Sequence, residues 1–90
     1  MGWTIEIDEH AARDLKKLGT PVARRIRDFL RDRLAGSGDP RSLGKPLQGA
    51  TLGKLWRYRV GDYRIVCQIR NEALVVLALA VGHRREVYRR

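Results

Sequence analysis

Three arginines and a glutamine are spaced as one face of a β-hairpin. In residues 55–70, LWRYRVGDYRIVCQIR, Gly61-Asp62 separates two runs that alternate polar with apolar side chains. Glycine at the first central position suits a two-residue type II′ turn. That turn sets Val60 opposite Tyr63, Arg59 opposite Arg64, Tyr58 opposite Ile65, Arg57 opposite Val66 and Trp56 opposite Cys67. Opposed residues share a sheet face, and side chains alternate along a strand. Arg57, Arg59, Arg64 and Gln68 therefore fall on one face; Trp56, Tyr58, Val60, Tyr63, Ile65, Cys67 and Ile69 fall on the other. Facing Arg59 with Arg64 costs about 0.2–1 kcal/mol, the penalty for like charges across strands. A guanidinium stays charged at any useful pH and offers a planar fork matched to phosphate. Such a cluster can hold a phosphodiester and offset charge that develops on it. A merely solvated outer face is the alternative, and the surrounding elements bear on the choice.

Upstream, Trp3, Ile5 and Ile7 alternate with Thr4, Glu6 and Asp8, which predicts a short half-buried strand. Asp8 can cap a helix through Leu18 with Ala11, Ala12, Leu15 and Leu18 on its apolar side and Gly19 as the stop. Thr20-Pro21 is a second start signal, and Val22, Ile26, Phe29, Leu30 and Leu34 recur at helical spacing up to Gly36. The opposite side, with Arg24, Arg25, Arg27, Asp28, Arg31, Asp32 and Arg33, reads as a solvated helix face. Residues 36–54 read as a loop, rich in glycine and proline, in which Leu47 can tuck into the core. Its glycines match no phosphate-binding fingerprint. Asn71-Glu72 marks another tight turn, and ALVVLALAV (residues 73–81) is apolar on both faces, as a central strand is. The predicted fold is α+β, one domain over residues 1–90, in the order β-α-α-β-β-β. A two-helix hairpin packs on one face of an antiparallel sheet. The arginine face is then left open, and the basic tail leaves the central strand beside it, so that Arg84 and Tyr88 can reach the same concavity.

A net charge of +9 and 43% hydrophobic residues describe a foldable, strongly basic chain. Nucleic acid, an anionic surface or an acidic protein are the partners such a charge suits. No apolar run approaches the roughly 20 residues that span a bilayer, and the N-terminus has no secretory pattern, so a cytoplasmic protein is expected. One cysteine excludes an intrachain disulfide, and Cys67 is expected to be a buried thiol. His10 and His83 with that cysteine make no zinc constellation, and no Ser/His/Asp arrangement is suggested. Neither metal nor cofactor is expected.

Three stretches, KPLQG (residues 45–49), RVGDYRIVCQI (59–69) and VGHRREVYRR (81–90), together with the element order, resemble the RelE/ParE superfamily of type II toxin–antitoxin toxins. The resemblance runs over essentially the whole chain and is strongest toward the RelE branch. It implies a ribosome-dependent, metal-independent mRNA endonuclease, in which the ribose 2′-OH attacks the adjacent phosphate. It also implies a cognate acidic antitoxin, contacts to mRNA and ribosomal RNA, and a possible toxin–antitoxin heterotetramer. Carried over by position, Arg64, Arg84, Tyr88 and Arg59 are the implied catalytic residues. Arg57, Lys54, Gln68 and His83 are the implied RNA- or phosphate-binding ones. The family pattern has lysines where this chain has Arg57 and Arg59, and arginine cannot serve as general base. Tyr88, His83, Lys54 and Glu86 stay open for that role. A ParE-like inhibitor of DNA gyrase and a non-enzymatic RNA-binding module are the alternatives.

Overall fold

Asp8 begins the first helix as its chemistry predicts. Its backbone is extended and its carboxylate accepts the Ala11 N–H at 2.8 Å, capping α1 (Glu9–Leu18). Gly19, at φ +92°, ends α1 in a conformation that favours glycine. The same residue opens α2 (Thr20–Asp28), with Pro21 in the first turn. Thr20, expected as the cap, is already helical, and no side chain caps α2. The helix then widens into a π-helical segment, Phe29–Leu34, where the Ala35 N–H donates to the Leu30 carbonyl five residues back at 3.0 Å. Ile26, Leu30 and Leu34 stay on one buried side through this change. These elements belong to a computed structural model that describes residues 2–47 and 55–83.

The strands are β1 (Thr4–Ile7), β2 (Lys45–Pro46), β3 (Leu55–Val60), β4 (Tyr63–Arg70) and β5 (Val75–His83), ordered β1-β5-β4-β3-β2 in one sheet. The β3–β4 hairpin has the expected register, from Val60 opposite Tyr63 to Trp56 opposite Cys67. Gly61 has φ +60° and Asp62 does not share a positive φ, the combination a type II′ turn uses.

Two features depart from the expected sheet. β1 joins β5 in parallel, Thr4 opposite Val75 through Ile7 opposite Ala78, so the sheet is mixed. Part of the expected loop also supplies an edge strand: Lys45 pairs with Arg57 and Pro46 with Trp56. Proline is tolerated there because an edge strand has one row of backbone groups without ladder partners. The turn at Asn71 is also longer than a two-residue connection. It runs to Leu74, which has φ +53° and donates its N–H to the Asn71 carbonyl at 3.3 Å.

Both helices cover one sheet face. Ala11, Leu15, Ala23, Ile26, Leu30 and Leu34 meet Tyr58, Val60, Ile65, Cys67, Val76, Ala78 and Val81 in a single core. Tyr58 is 1% exposed, as expected beneath the helices. Trp56 is only half-buried, and the Arg41 guanidinium lies 5.9 Å from its ring centroid. Leu47 is likewise half-buried. In β5 the pairing shifts: Cys67 faces Ala78 but Val66 faces Ala80, so Leu79 is an extra residue and forms a bulge. Among the described residues, no helix is long and apolar enough to cross a membrane.

Candidate functional site

The hairpin register carries Arg57, Arg59 and Arg64 to the sheet face away from the helices. Arg59 and Arg64 are directly opposite, and Lys45 joins them because β2 sets it opposite Arg57. All four line a pocket of about 310 Å³, completed among the described residues by Ser42, Leu43, Gly44 and Tyr58, none of them acidic. Arg57 and Arg64 are half-buried; Arg59 is exposed and donates from Nε to the Gly61 carbonyl at 3.1 Å.

One wall is a short 3₁₀ helix, Pro40–Leu43, capped by Asp39, whose carboxylate accepts the Arg41 N–H at 3.0 Å. The wall lies close against β3. A Cβ on Gly44 would stand 2.6 Å from the Arg57 carbonyl oxygen and 2.7 Å from Cε1 of Tyr58, so only glycine fits. Tyr58 anchors the same wall, donating its buried hydroxyl to the Pro40 carbonyl at 2.9 Å. Desolvation pushes the Tyr58 phenol above its ordinary pKa, so it stays a neutral donor. The Cys67 thiol, buried beneath the same hairpin, is pushed up for the same reason and is no nucleophile at neutral pH.

The other expected site residues are placed as follows. Gln68 shares the arginine face but lies farther along it, opposite Leu55 and Leu77, and accepts from Arg70 Nε at 3.2 Å. It lines a separate cavity with Arg41, Trp56, Arg70 and Asn71. His83 is paired with Tyr63, and the two rings meet edge to face at 6.1 Å. By register His83 shares Tyr63's face of the sheet, whereas Gly82 is the residue opposite Arg64. Lys54, Arg84, Glu86 and Tyr88 lie outside the described residues. Lys45 is the pocket cation that the sequence-derived site lacks, although it opens the KPLQG stretch. Among the described residues, no group of three or more His, Cys, Asp or Glu side chains is arranged to hold a metal ion.

A small basic α+β domain with a cationic pocket on the open sheet face is the architecture of a recognisable class. Residues 5–88 match the family model described as ParE toxin of type II toxin-antitoxin system, parDE. Toxin RelG of Mycobacterium tuberculosis is 34% identical over 90 residues, covering 100% of both chains. The mRNA interferase toxin RelE of Escherichia coli K12 is 31% identical over 90 residues, covering 98% of this chain and 92% of that one. Among solved structures, the toxin–antitoxin complex RelBE2 from M. tuberculosis contains a chain that superposes with TM-score 0.84 at 31% identity, covering 93% of this chain and 100% of that one. A chain of the archaeal RelE–RelB complex from Pyrococcus horikoshii gives TM-score 0.72 at 28% identity, covering 96% and 99%. The chain belongs to the RelE/ParE family of type II toxin–antitoxin toxins, on its RelE branch.

Proposed function

We propose that this chain is a ribosome-dependent mRNA endonuclease whose arginine pocket holds the phosphodiester to be cut. The observation that carries the reading is the convergence of Lys45, Arg57, Arg59 and Arg64 on one pocket. The ribose 2′-oxygen attacks the adjacent phosphorus and loses its proton to a base. The bond to the 5′-oxygen of the next nucleotide breaks, and that oxygen takes up a proton. A 2′,3′-cyclic phosphate and a 5′-OH result. Arg64, with Arg84 from the tail, offsets the charge that builds on the phosphorane. Lys45, Arg57 and Arg59 hold flanking phosphates of mRNA or ribosomal RNA. Tyr88 positions or deprotonates the 2′-OH, a step no guanidinium can perform.

The name of the E. coli relative, mRNA interferase toxin RelE, supports mRNA as the target. The solved complexes of related toxins with their antitoxins support a cognate antitoxin here. With a chain of charge +9, an acidic segment is the fitting partner, and a toxin–antitoxin heterotetramer is the proposed assembly.

The test is single-turnover cleavage of mRNA on programmed ribosomes. Losing a preorganised donor aimed at a developing oxyanion costs about 100–1,000-fold in rate, and that is the slowing expected of Arg64→Ala on saturated ribosomes. Arg57→Ala and Lys45→Ala, which lose only backbone-phosphate contacts, are expected to raise the concentration needed for saturation. A folded Arg64→Ala that cleaves at the wild-type rate would sink the assignment. A second reading, inhibition of DNA gyrase, is favoured by the ParE description of the matching family model. Supercoiling inhibition without message cleavage would establish it instead.

A further inference from the structure

We propose that Asp14 is a positioning residue for the arginine pocket, holding from the helical side of the sheet the bulge that leaves Gly82 beside Arg64. The proposal rests on the reading of that pocket as a phosphate site.

Asp14 is the buried charged residue among the described positions, 4% exposed, next to the fully buried Leu15 on the inner side of α1. A carboxylate is costly to bury unless it is hydrogen-bonded. Here it accepts the Val81 N–H at 2.9 Å. One turn earlier, His10 Nδ1 lies 3.2 Å from the Leu79 carbonyl oxygen and 3.5 Å from the Asp14 carboxylate, donating to Leu79 in the tautomer that carries its proton on Nδ1. These contacts begin where β1 gives out. β1 pairs with β5 only as far as Ala78, whose carbonyl accepts the Asp8 N–H at 3.0 Å. From there α1 supplies the partners, and the two groups it takes up, the Leu79 carbonyl and the Val81 N–H, straddle the irregular step.

The step decides what stands beside the pocket. A regular ladder continued from Cys67 opposite Ala78 would put Leu79 opposite Val66, Ala80 opposite Ile65 and Val81 opposite Arg64. The observed pairs are Val66 with Ala80, Ile65 with Val81 and Arg64 with Gly82. A one-residue slip exchanges the two faces of a strand. The bulge thus sends Val81 into the core, where it is 1% exposed, and places a residue without a side chain opposite Arg64 in the ladder.

The experiment compares isotope-labelled wild type, Asp14→Asn and Asp14→Leu by cross-strand nuclear Overhauser contacts, Val81 amide exchange and binding of a short single-stranded RNA. Asn keeps an acceptor, so Asp14→Asn is expected to retain the Arg64–Gly82 contact and wild-type RNA affinity while its Val81 amide exchanges faster. Asp14→Leu is expected to replace that contact by Arg64–Val81 and to bind RNA about tenfold more weakly. A folded Asp14→Leu with the Arg64–Gly82 contact and wild-type affinity overturns the proposal. Gly82→Val, which leaves Asp14 in place, puts a branched side chain beside Arg64 and keeps the question decidable if Asp14→Leu does not fold. Weakened RNA binding with a protected Val81 amide is expected, and unchanged binding overturns the proposal. If wild type binds no RNA, the phosphate reading of the pocket fails, while the contact pattern still decides whether Asp14 sets the register.

Discussion

Tyr58 and Gly44 join the pocket to the core, one by a hydrogen bond and the other by lacking a side chain. Adding a methyl group where 2.6 Å separates the built Cβ from the Arg57 carbonyl oxygen must push the 3₁₀ wall off β3. Gly44→Ala is expected to cost about 1–3 kcal/mol, the range for overpacking, and to lower RNA affinity as the wall moves; denaturant melts and RNA titration read the two effects. Tyr58 and Cys67 also give stability a pH dependence of definite sign. Burial raises both pKa values, so the folded chain retains protons that the unfolded chain releases. Their contribution is complete below the unfolded values, about 8.5 for Cys and 10 for Tyr, and is lost as pH rises above them. The urea midpoint should therefore fall between pH 8 and pH 10.5, and a Tyr58→Phe/Cys67→Ala variant should lose less of it over the same interval. An equal fall in both proteins would remove these two groups as the cause.

Among the elements, the connection between β4 and β5 carries local strain. Leu74 is both the exposed large hydrophobic and the non-glycine residue with positive φ among those described. Asn tolerates the left-handed region better than a branched aliphatic residue. Leu74→Asn is expected to stabilise by about 0.5–1 kcal/mol, read as a Tm higher by several degrees; a lower Tm would show that Leu74 contributes packing that outweighs its backbone cost. The same connection shows where the sequence stops being informative. The arginine face is legible because Gly61 fixes the turn and two alternating runs agree on one register, so Arg57, Arg59 and Arg64 could be grouped from spacing alone. Alternation says which face is buried but not which strand lies alongside or in which direction, so the parallel β1–β5 pairing is silent. ALVVLALAV is apolar at every position, so one extra residue leaves no trace in its pattern. The bulge at Leu79, and with it the pairing of His83 with Tyr63, could not be read. Lys45 was hidden by the glycines and prolines around it, which signal a loop more strongly than two residues signal a strand.

At the scale of the whole molecule, cations occupy both sides of the sheet. Lys16, Arg24, Arg27 and Arg31 line a groove between the helices, with Asp28 the acid among its described lining residues, while the arginine pocket opens on the other side. Association with the proposed acidic antitoxin segment is therefore expected to be steered electrostatically and to slow by about tenfold or more between low salt and several hundred millimolar KCl. Stopped-flow association at a series of salt concentrations measures this, and a rate indifferent to salt would leave an apolar interface as the driving contact. The strand order has a consequence for how the chain comes into being. β1 is made early, yet its neighbour in the sheet is β5, and Thr4 waits for Val75. Arg64 likewise meets Gly82 only once β5 exists. Pairings this distant in sequence delay folding until the later partner is available. A nascent chain, or a fragment released before β5, has a first strand without its ladder and a buried-type carboxylate on α1 without its amide. Such a chain lacks the strand that flanks Arg64, so the sheet behind the arginine pocket is completed last.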